Sequence, residues 1–349
     1  MIFFILIIGI VVLLLTKYVF KDEISWKEFG LSAAIFSIIV MTGYGISMVA
    51  NTQDVEIISG KVVSKTHDRV SCRHSYPCNC RQQCSGYGKN ESCYTVCDTC
   101  YVHDYDIDWN VHSTIGTIGI NTVDSQGLRE PPRWTEVKIN EPVSSRHGFT
   151  NYIKAVPNSL FNTNSDFIPP PYPAQIYDYY KINRVVLDTG VQISQQNYNK
   201  LNEKISDSLK DLASQKQVNI VVVLTKNTNE IYAENLKASW LGGKKNDIVV
   251  VISFSDYPTI QWVTVFGWSK SDLINVSIRN DIMDYGKIDE HIIDITTNNI
   301  EKYWNRKPMS EFEYLKNEIK PSNTAYIIIF VFGILVIGGL VWYFYNNDI

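Results

Sequence analysis

Three stretches of the chain are apolar with almost no polar break. Ile2 to Leu15 is nearly all Ile, Leu, Val and Phe, and the apolar character runs past Lys17 to Phe20. Phe29 to Ala50 and Thr324 to Tyr345 carry no charged residue. A helix crosses the roughly 30 Å hydrocarbon core of a bilayer with about 20 apolar residues. The pattern therefore predicts transmembrane helices at both ends, two N-terminal within residues 1–50 (about 2–20 and 29–50) and one C-terminal at 324–345. The first stretch has neither a basic leading region nor a small-residue cleavage site, which favours a short span or signal anchor over a cleaved signal peptide. Tyr343, Phe344 and Tyr345 close the last span as an aromatic interface belt.

Between the spans the period changes twice. Val55 to Val63 reads as a strand, and Tyr105, Ile107, Trp109 and Val111 alternate with Asp106, Asp108, Asn110 and His112 at the period of two that a half-buried strand requires. Val137 to Ile139 is expected as a third strand. After the proline-rich run from Ile168 to Pro173, an extended spacer, short fully apolar strands alternate with helical stripes. Val185 to Leu187, Val218 to Leu224, Ile248 to Phe254 and Gln261 to Phe266 are the strands. Behind an N-cap at Ser194, Tyr198, Leu201, Ile205, Leu209 and Leu212 recur at helical steps. Helices are also expected over 230–240 and 289–304. Apolar strands alternating with helices mean a sheet covered on both faces.

The expected fold class is thus a membrane-anchored α+β protein. A small Cys-rich β domain (51–165) is followed by a Pro-rich linker (166–182), an α/β/α sandwich (183–305) and a juxtamembrane segment (306–323). Lys17, Lys21 and Lys27 lie in the short loop between the first two spans, and short-loop lysine stays cytoplasmic. That makes the chain a multi-pass membrane protein with residues 51–323 extracytoplasmic. Arg306, Lys307, Lys316 and Lys320 pull the other way, but large translocated domains escape the rule, and Glu311, Glu313 and Glu318 are interleaved with them. With a net charge of −4 and a pI near 5.9, the bilayer is an expected partner and nucleic acid is not.

All seven cysteines fall between Cys72 and Cys100, interrupted by a Gly-rich turn at residues 86–91. Such density implies a local cross-link, and two chemistries compete for it. Zinc takes four Cys or His ligands, and His74, Cys78 and Cys80 on one side with Cys97, Cys100 and His103 on the other form two half-sites. An odd cysteine count suits a metal site, whereas an extracytoplasmic domain suits disulfides. Asp104, Asp106 and Asp108 are the nearest candidates for a base beside a catalytic zinc, but their parity reads first as the solvated face of a strand. His67, His112 and His147 stand alone and read as surface or hydrogen-bonded residues.

The second domain resembles the TPM family, which includes thylakoid-lumen acid-phosphatase-like proteins, a photosystem II repair factor and a nematode receptor modulator. The resemblance lies in Leu187 and Asp188 before a helix, in Ile220 to Thr225, in Tyr232, Leu236, Trp240 and Gly242 at their spacing, in Asn246 to Ile252, and in Val263 to Trp268. It covers about a third of the chain, and departs from the family at Phe266, Gly267 and Trp268, where the family pattern has Gly-Tyr-Gly. It implies a membrane-tethered extracytoplasmic domain, with phosphatase activity and calcium binding in some members. By position, Asp188 and Asp247 are the matching acidic residues for calcium, and both also read as solvated strand-end residues. Gly242, Gly243, Lys244 and Lys245 lack Walker spacing, and no base–nucleophile pair is evident.

These readings together predict a non-enzymatic binding or assembly module for membrane or envelope proteins. A metal-dependent phosphatase using Asp188 and Asp247 is the alternative, with a zinc hydrolase on the cysteine domain behind it.

Overall fold

The structure is a computed structural model, and it describes all residues except 22, 86–91, 162–165, 178–180 and 347–349. The expected Gly-rich turn, the domain boundary at residue 165 and part of the linker lie outside the described residues.

Helices α1 (Ile2–Val19) and α2 (Trp26–Thr52) are long and apolar enough to cross a membrane, as is the last helix of the chain. Ser25 and Glu28 close a reciprocal capping box at the start of α2, which satisfies amide groups that would otherwise be orphaned. Strand β1 (Gln53–Val70) follows α2 without a loop, and it is longer than its apolar pattern suggests. It is followed by a hairpin of β2 (Ser75–Ser85) and β3 (Ser92–Tyr101), then by β4 (Asp106–Ser113) and β5 (Gly116–Ile120).

A short helix α3 (Pro132–Glu136) precedes β6 (Pro142–Thr150). Val137 to Ile139, expected as a strand, lies in the connection between them; Val137 is buried there, so its apolarity serves the core without strand geometry. The sheet order is β5-β4-β1-β6, all antiparallel. Its core gathers Val62, Trp109, Val111, Ile120, Val137 and Val143. The first half of β1 pairs with β6 and the second half with β4, with an irregularity between Val62 and Ser64 where the strand changes partner.

The chain then makes α4 (Tyr152–Ala155) and a two-stranded ribbon of β7 (Ile176–Tyr177) and β8 (Lys181–Ile182) before entering the second unit. There β9 (Val185–Leu187), α5 (Gln195–Lys216), β10 (Asn219–Thr225), α6 (Ile231–Ser239), β11 (Asp247–Phe254) and β12 (Ile260–Gly267) are followed by α7 (Leu273–Tyr285) and α8 (His291–Tyr303). The sheet order is β12-β11-β10-β9; β9, β10 and β11 are parallel and β12 antiparallel. Every residue of β10 and β11 is buried, as a strand covered on both faces must be.

Leu201, Ile205 and Leu209 of α5 join Ile278 of α7 and Ile292 of α8 on one face of the sheet, while Tyr232, Ala233 and Leu236 of α6 cover the other. Ser194 caps α5 by accepting from the Asn197 amide, in the expected position. A 3-10 helix (Met309–Glu318) leads into α9 (Asn323–Asn346), which packs against α1 and α2 around Phe36.

β1 is also the seam between the two units. The Arg184 side chain donates through Nη2 to Ser59 Oγ of β1 at 2.6 Å and to Ser144 Oγ of β6 at 2.8 Å. Asn246 Nδ2 donates to the Ile57 carbonyl at 2.7 Å, Lys244 Nζ pairs with Asp54, and the buried Glu56 accepts from Arg306 and His147. The seam is polar and hydrogen-bonded, with Asn246 Oδ1 the exception that lacks a partner, and such directional contacts fix orientation more than an apolar contact would.

Candidate metal centre

The hairpin's sulfurs do not converge on a point; they pair across its two strands. Cys84 and Cys93 stand opposite each other in register and are bonded, followed toward the root by Cys80–Cys97 and Cys78–Cys100. This corrects the expectation that Cys78, Cys80, Cys97 and Cys100 are zinc ligands, because a metal binds thiolate and a sulfur in a disulfide is no longer one. The bonds stand in for a core. Described side chains of β2 and β3 are mostly exposed, and an isolated two-stranded hairpin is marginal in water.

The seventh cysteine is set apart. Cys72 is a free, buried thiol in the extended connection that leaves β1, with His74 two residues on. His103 lies in the connection between β3 and β4, and Asp106 opens β4. Val70 pairs with Asp106 in the β1–β4 ladder, so both connections leave the same end of the sheet. The Val102 amide donates to the His74 carbonyl at 3.0 Å and holds the two connections side by side.

Four donor atoms meet there, one each from Cys72, His74, His103 and Asp106, all within 4.8 Å of one another. His103 Nδ1 is 3.7 Å from Cys72 Sγ and 3.3 Å from Asp106 Oδ1; His74 Nδ1 is 3.6 Å from Asp106 Oδ2. The Arg73 amide donates to Asp106 Oδ2 at 2.8 Å, and this bond, more than the His103 contact, holds the carboxyl below its ordinary value. Arg73 in turn makes a two-pronged pair with Asp108. The cluster could hold a metal ion.

It does not have the layout of a Cys–His–Asp triad. A relay needs the nucleophile on one imidazole nitrogen and the carboxylate on the other. Here the thiol and the carboxylate both face Nδ1 of His103.

The sequence therefore marked His74 and His103, and the structure brings them together. It also brings in two residues that the half-site reading left out. Cys72 was signalled by the odd cysteine count. Asp106 was assigned to a solvated strand face, yet it is buried, while Asp104 is exposed and Asp108 partly so. Of the lone histidines, His67 stacks against Trp109, His112 bonds to Thr66 and Thr117, and His147 bonds to Glu56.

Asp188 and Asp247 do not share a site. Asp188 follows the C-terminal end of β9, and Asp247 is the first residue of β11. In a parallel sheet where Leu187 pairs with Leu224 and Asp247 with Asn219, these are opposite ends. The separation along the strands is roughly 20 Å at about 3.3 Å per residue. Asp188 Oδ2 accepts from Thr225 Oγ1 at 2.7 Å. Asp247 is fully buried and accepts from Asn219 Nδ2, the Lys244 amide and Tyr172 Oη. Burial pushes its carboxyl up, and burial with the Asp247 charge pushes the Tyr172 hydroxyl up further from its own ordinary value.

In comparisons with known proteins, no family model, no curated protein and no solved structure matches the chain.

Proposed function

We propose that the chain is a multi-pass membrane protein that holds residues 51–323 outside the cytoplasm as a binding or assembly module for membrane or envelope proteins, with its second unit of the TPM type. The observation that carries this reading is the hairpin. It stands at the far end of β1, which itself runs straight out of α2, and it is cross-linked at three levels along its length. An exposed hairpin stiffened in this way loses little conformational freedom on meeting a partner, which is where binding energy is otherwise spent.

Its surface carries exposed Tyr76, Tyr94 and Tyr101, with Val102 beside them. Tyrosine is enriched at the anchors of protein interfaces. The disulfides themselves belong to an oxidising compartment, which agrees with the lysine loop between the first two spans. The phosphatase alternative loses support, because its two carboxylates lie at opposite ends of the sheet.

Two measurements test the proposal. A cysteine introduced at the exposed Ser125 should react with an impermeant maleimide in intact cells; reaction only after lysis would reverse the topology. A photocrosslinking residue at Tyr94 should give a discrete adduct with a membrane or envelope protein in those cells. Correct topology without any adduct along the hairpin would remove the binding role.

A further inference from the structure

We infer that Cys72, His74, His103 and Asp106 form a closed structural zinc site that clamps the root of the disulfide hairpin to the β1–β4 pair. The first argument is metric. A tetrahedral zinc with sulfur at about 2.3 Å and nitrogen or oxygen at about 2.1 Å sets ligand-to-ligand edges of roughly 3.6 Å for sulfur–nitrogen and roughly 3.4 Å for nitrogen–oxygen. The separations are 3.7 Å from His103 Nδ1 to Cys72 Sγ and 3.3 Å to Asp106 Oδ1, while His74 Nδ1 lies 3.6 Å from the other carboxylate oxygen, Oδ2. One donor atom from each of the four residues lies within 4.8 Å of the others, and the two His103 edges match the tetrahedral spacing.

The second argument is the convergence of lone pairs. Both imidazoles turn Nδ1 inward, and the same Nδ1 of His103 faces a thiol and a carboxylate at once. A proton on that nitrogen can serve only one of them, whereas a metal ion serves all four donors together. Binding converts the Cys72 thiol to a thiolate, with its proton released to solvent, and leaves the imidazoles neutral.

The third argument is support from around the site. The Arg73 amide fixes Asp106, and the Asp108 carboxylate fixes Arg73. Such outer partners orient ligands in metal sites. One thiolate, two imidazoles and a carboxylate are a donor set for zinc and too soft for calcium or magnesium. Copper sites of the Cys-His-His kind take a weak, distant thioether as their fourth donor. The fourth donor here is a close carboxylate, so zinc is the assignment.

The site also accounts for the parity of the cysteines. Six pair in the hairpin, and the seventh is held as a ligand at its root, where it cannot exchange into the wrong disulfide. Because Cys72 and His74 lie on one connection, His103 on the other and Asp106 at the start of β4, the ion fixes the direction in which the hairpin points.

The test uses the full-length protein in detergent. Elemental analysis should find zinc equimolar with the chain, and replacement of zinc by cobalt(II) should give a thiolate-to-cobalt band with strong tetrahedral ligand-field absorption. Cys72 should resist thiol reagents until a chelator is added. His74 is half exposed, so His74→Ala tests the site without disturbing a core. It should weaken zinc binding by more than the roughly 10- to 100-fold that loss of an outer partner costs. Cys72→Ser should abolish the cobalt charge-transfer band, while the double change Cys84→Ser with Cys93→Ser should leave zinc in place. No bound zinc and no cobalt spectrum, a Cys72 thiol equally reactive with and without chelator, or copper in preference to zinc would each overturn the inference. These readouts are independent of whether the hairpin has a protein partner.

Discussion

Arg184 in the second unit donates to Ser59 of β1 at 2.6 Å, and among the described residues it is the largest side chain with almost no exposed surface. Its guanidinium also reaches Ser144 and Asn219, so a single residue ties β1, β6 and β10 together. Hydrogen bonds to a charged group contribute about 1.5–3 kcal/mol each, and stranding their partners costs further. Arg184→Ala is expected to lower stability by roughly 3 kcal/mol or more. Arg184→Lys should recover only part of this, since a point charge cannot fork to three acceptors. Thermal unfolding of the detergent-solubilised chain measures both; a loss no larger than that of a surface change would show that the seam is held elsewhere.

Asp188→Ala and Asp247→Ala separate the two carboxylates that the sequence places in parallel. Both were expected to be solvated strand-end residues, so that neither substitution would disturb the fold. Asp247 is instead buried beneath three donors, and its removal leaves Asn219, Tyr172 and the Lys244 amide without an acceptor. A penalty of roughly 2–4 kcal/mol is expected for Asp247→Ala, and about 1 kcal/mol or less for Asp188→Ala. Equal effects in chemical denaturation would contradict the burial of Asp247.

What was legible in the sequence was what local pattern controls. The three helices long and apolar enough to cross a membrane follow from unbroken apolar length, and the face of α5 from Leu201, Ile205 and Leu209 at helical steps. β10 and β11 follow from runs that are apolar on both sides. What was not legible depends on register and on contacts made far along the chain. The spacing of Cys78, Cys80, Cys97 and Cys100 reads first as zinc half-sites and also admits disulfides, and only the pairing of Cys84 with Cys93 across the hairpin decides which sulfurs meet. Alternation assigns Asp106 to the outer face of its own strand, but cannot know that the connection carrying Cys72 and His74 folds over it. β6 carries no legible apolar pattern because its buried Ser144 is polar, its burial being made acceptable by Arg184.

Reduction should loosen the hairpin and little else. The described side chains of β2 and β3 are mostly exposed, whereas the second unit owes its stability to the apolar layers on either face of β10 and β11. With a strong reductant, amide exchange is expected to rise over 75–101 while β10 and β11 stay protected. Closing a loop of about 15 residues stabilises by about 3 kcal/mol, and the nested loops here are not additive. Cys78–Cys100 closes the longest of them, so Cys78→Ser with Cys100→Ser should loosen the hairpin more than the same change at Cys84 and Cys93. Global unfolding on reduction would show that the hairpin is integral to the core.

Acid should weaken the seam through Asp54. Burial alone would raise its carboxyl, but the hydrogen bonds from Lys244 and Asn151 and the Lys244 charge outweigh burial, and the net shift is below the ordinary value of 3.8. A carboxylate depressed in the folded state contributes stability that is fully present above its unfolded value and is lost as pH falls through the folded one. The Lys244–Asp54 pair should therefore hold at neutral pH and fail only below about pH 4. Asp54→Asn should flatten that part of the stability profile and cost roughly 1 kcal/mol at neutral pH. An unchanged acid limb in the variant would assign the acid sensitivity to other carboxylates.

Within the helical bundle, the ring of Phe36 fills the space that Gly9 and Gly333 leave open. A Cβ at Gly9 would clash with the ring and one at Gly333 would lie 2.6 Å from it, and the ring is fully buried between α1 and α9. Helices in lipid associate through such close packing, since the tails around them are as apolar as the side chains. Gly9→Leu is expected to force the ring out and cost roughly 1–3 kcal/mol of bundle stability, as overpacking does. Phe36→Leu alone should also destabilise, by opening a void. The pair Gly9→Ala with Phe36→Leu should lose less than the two single changes together, because the shorter side chain makes room for the new methyl group. Neighbours in contact are non-additive in this way and distant residues are not. Thermal stability in a mild detergent across this cycle decides the matter: strictly additive losses would mean that Gly9 and Phe36 do not touch.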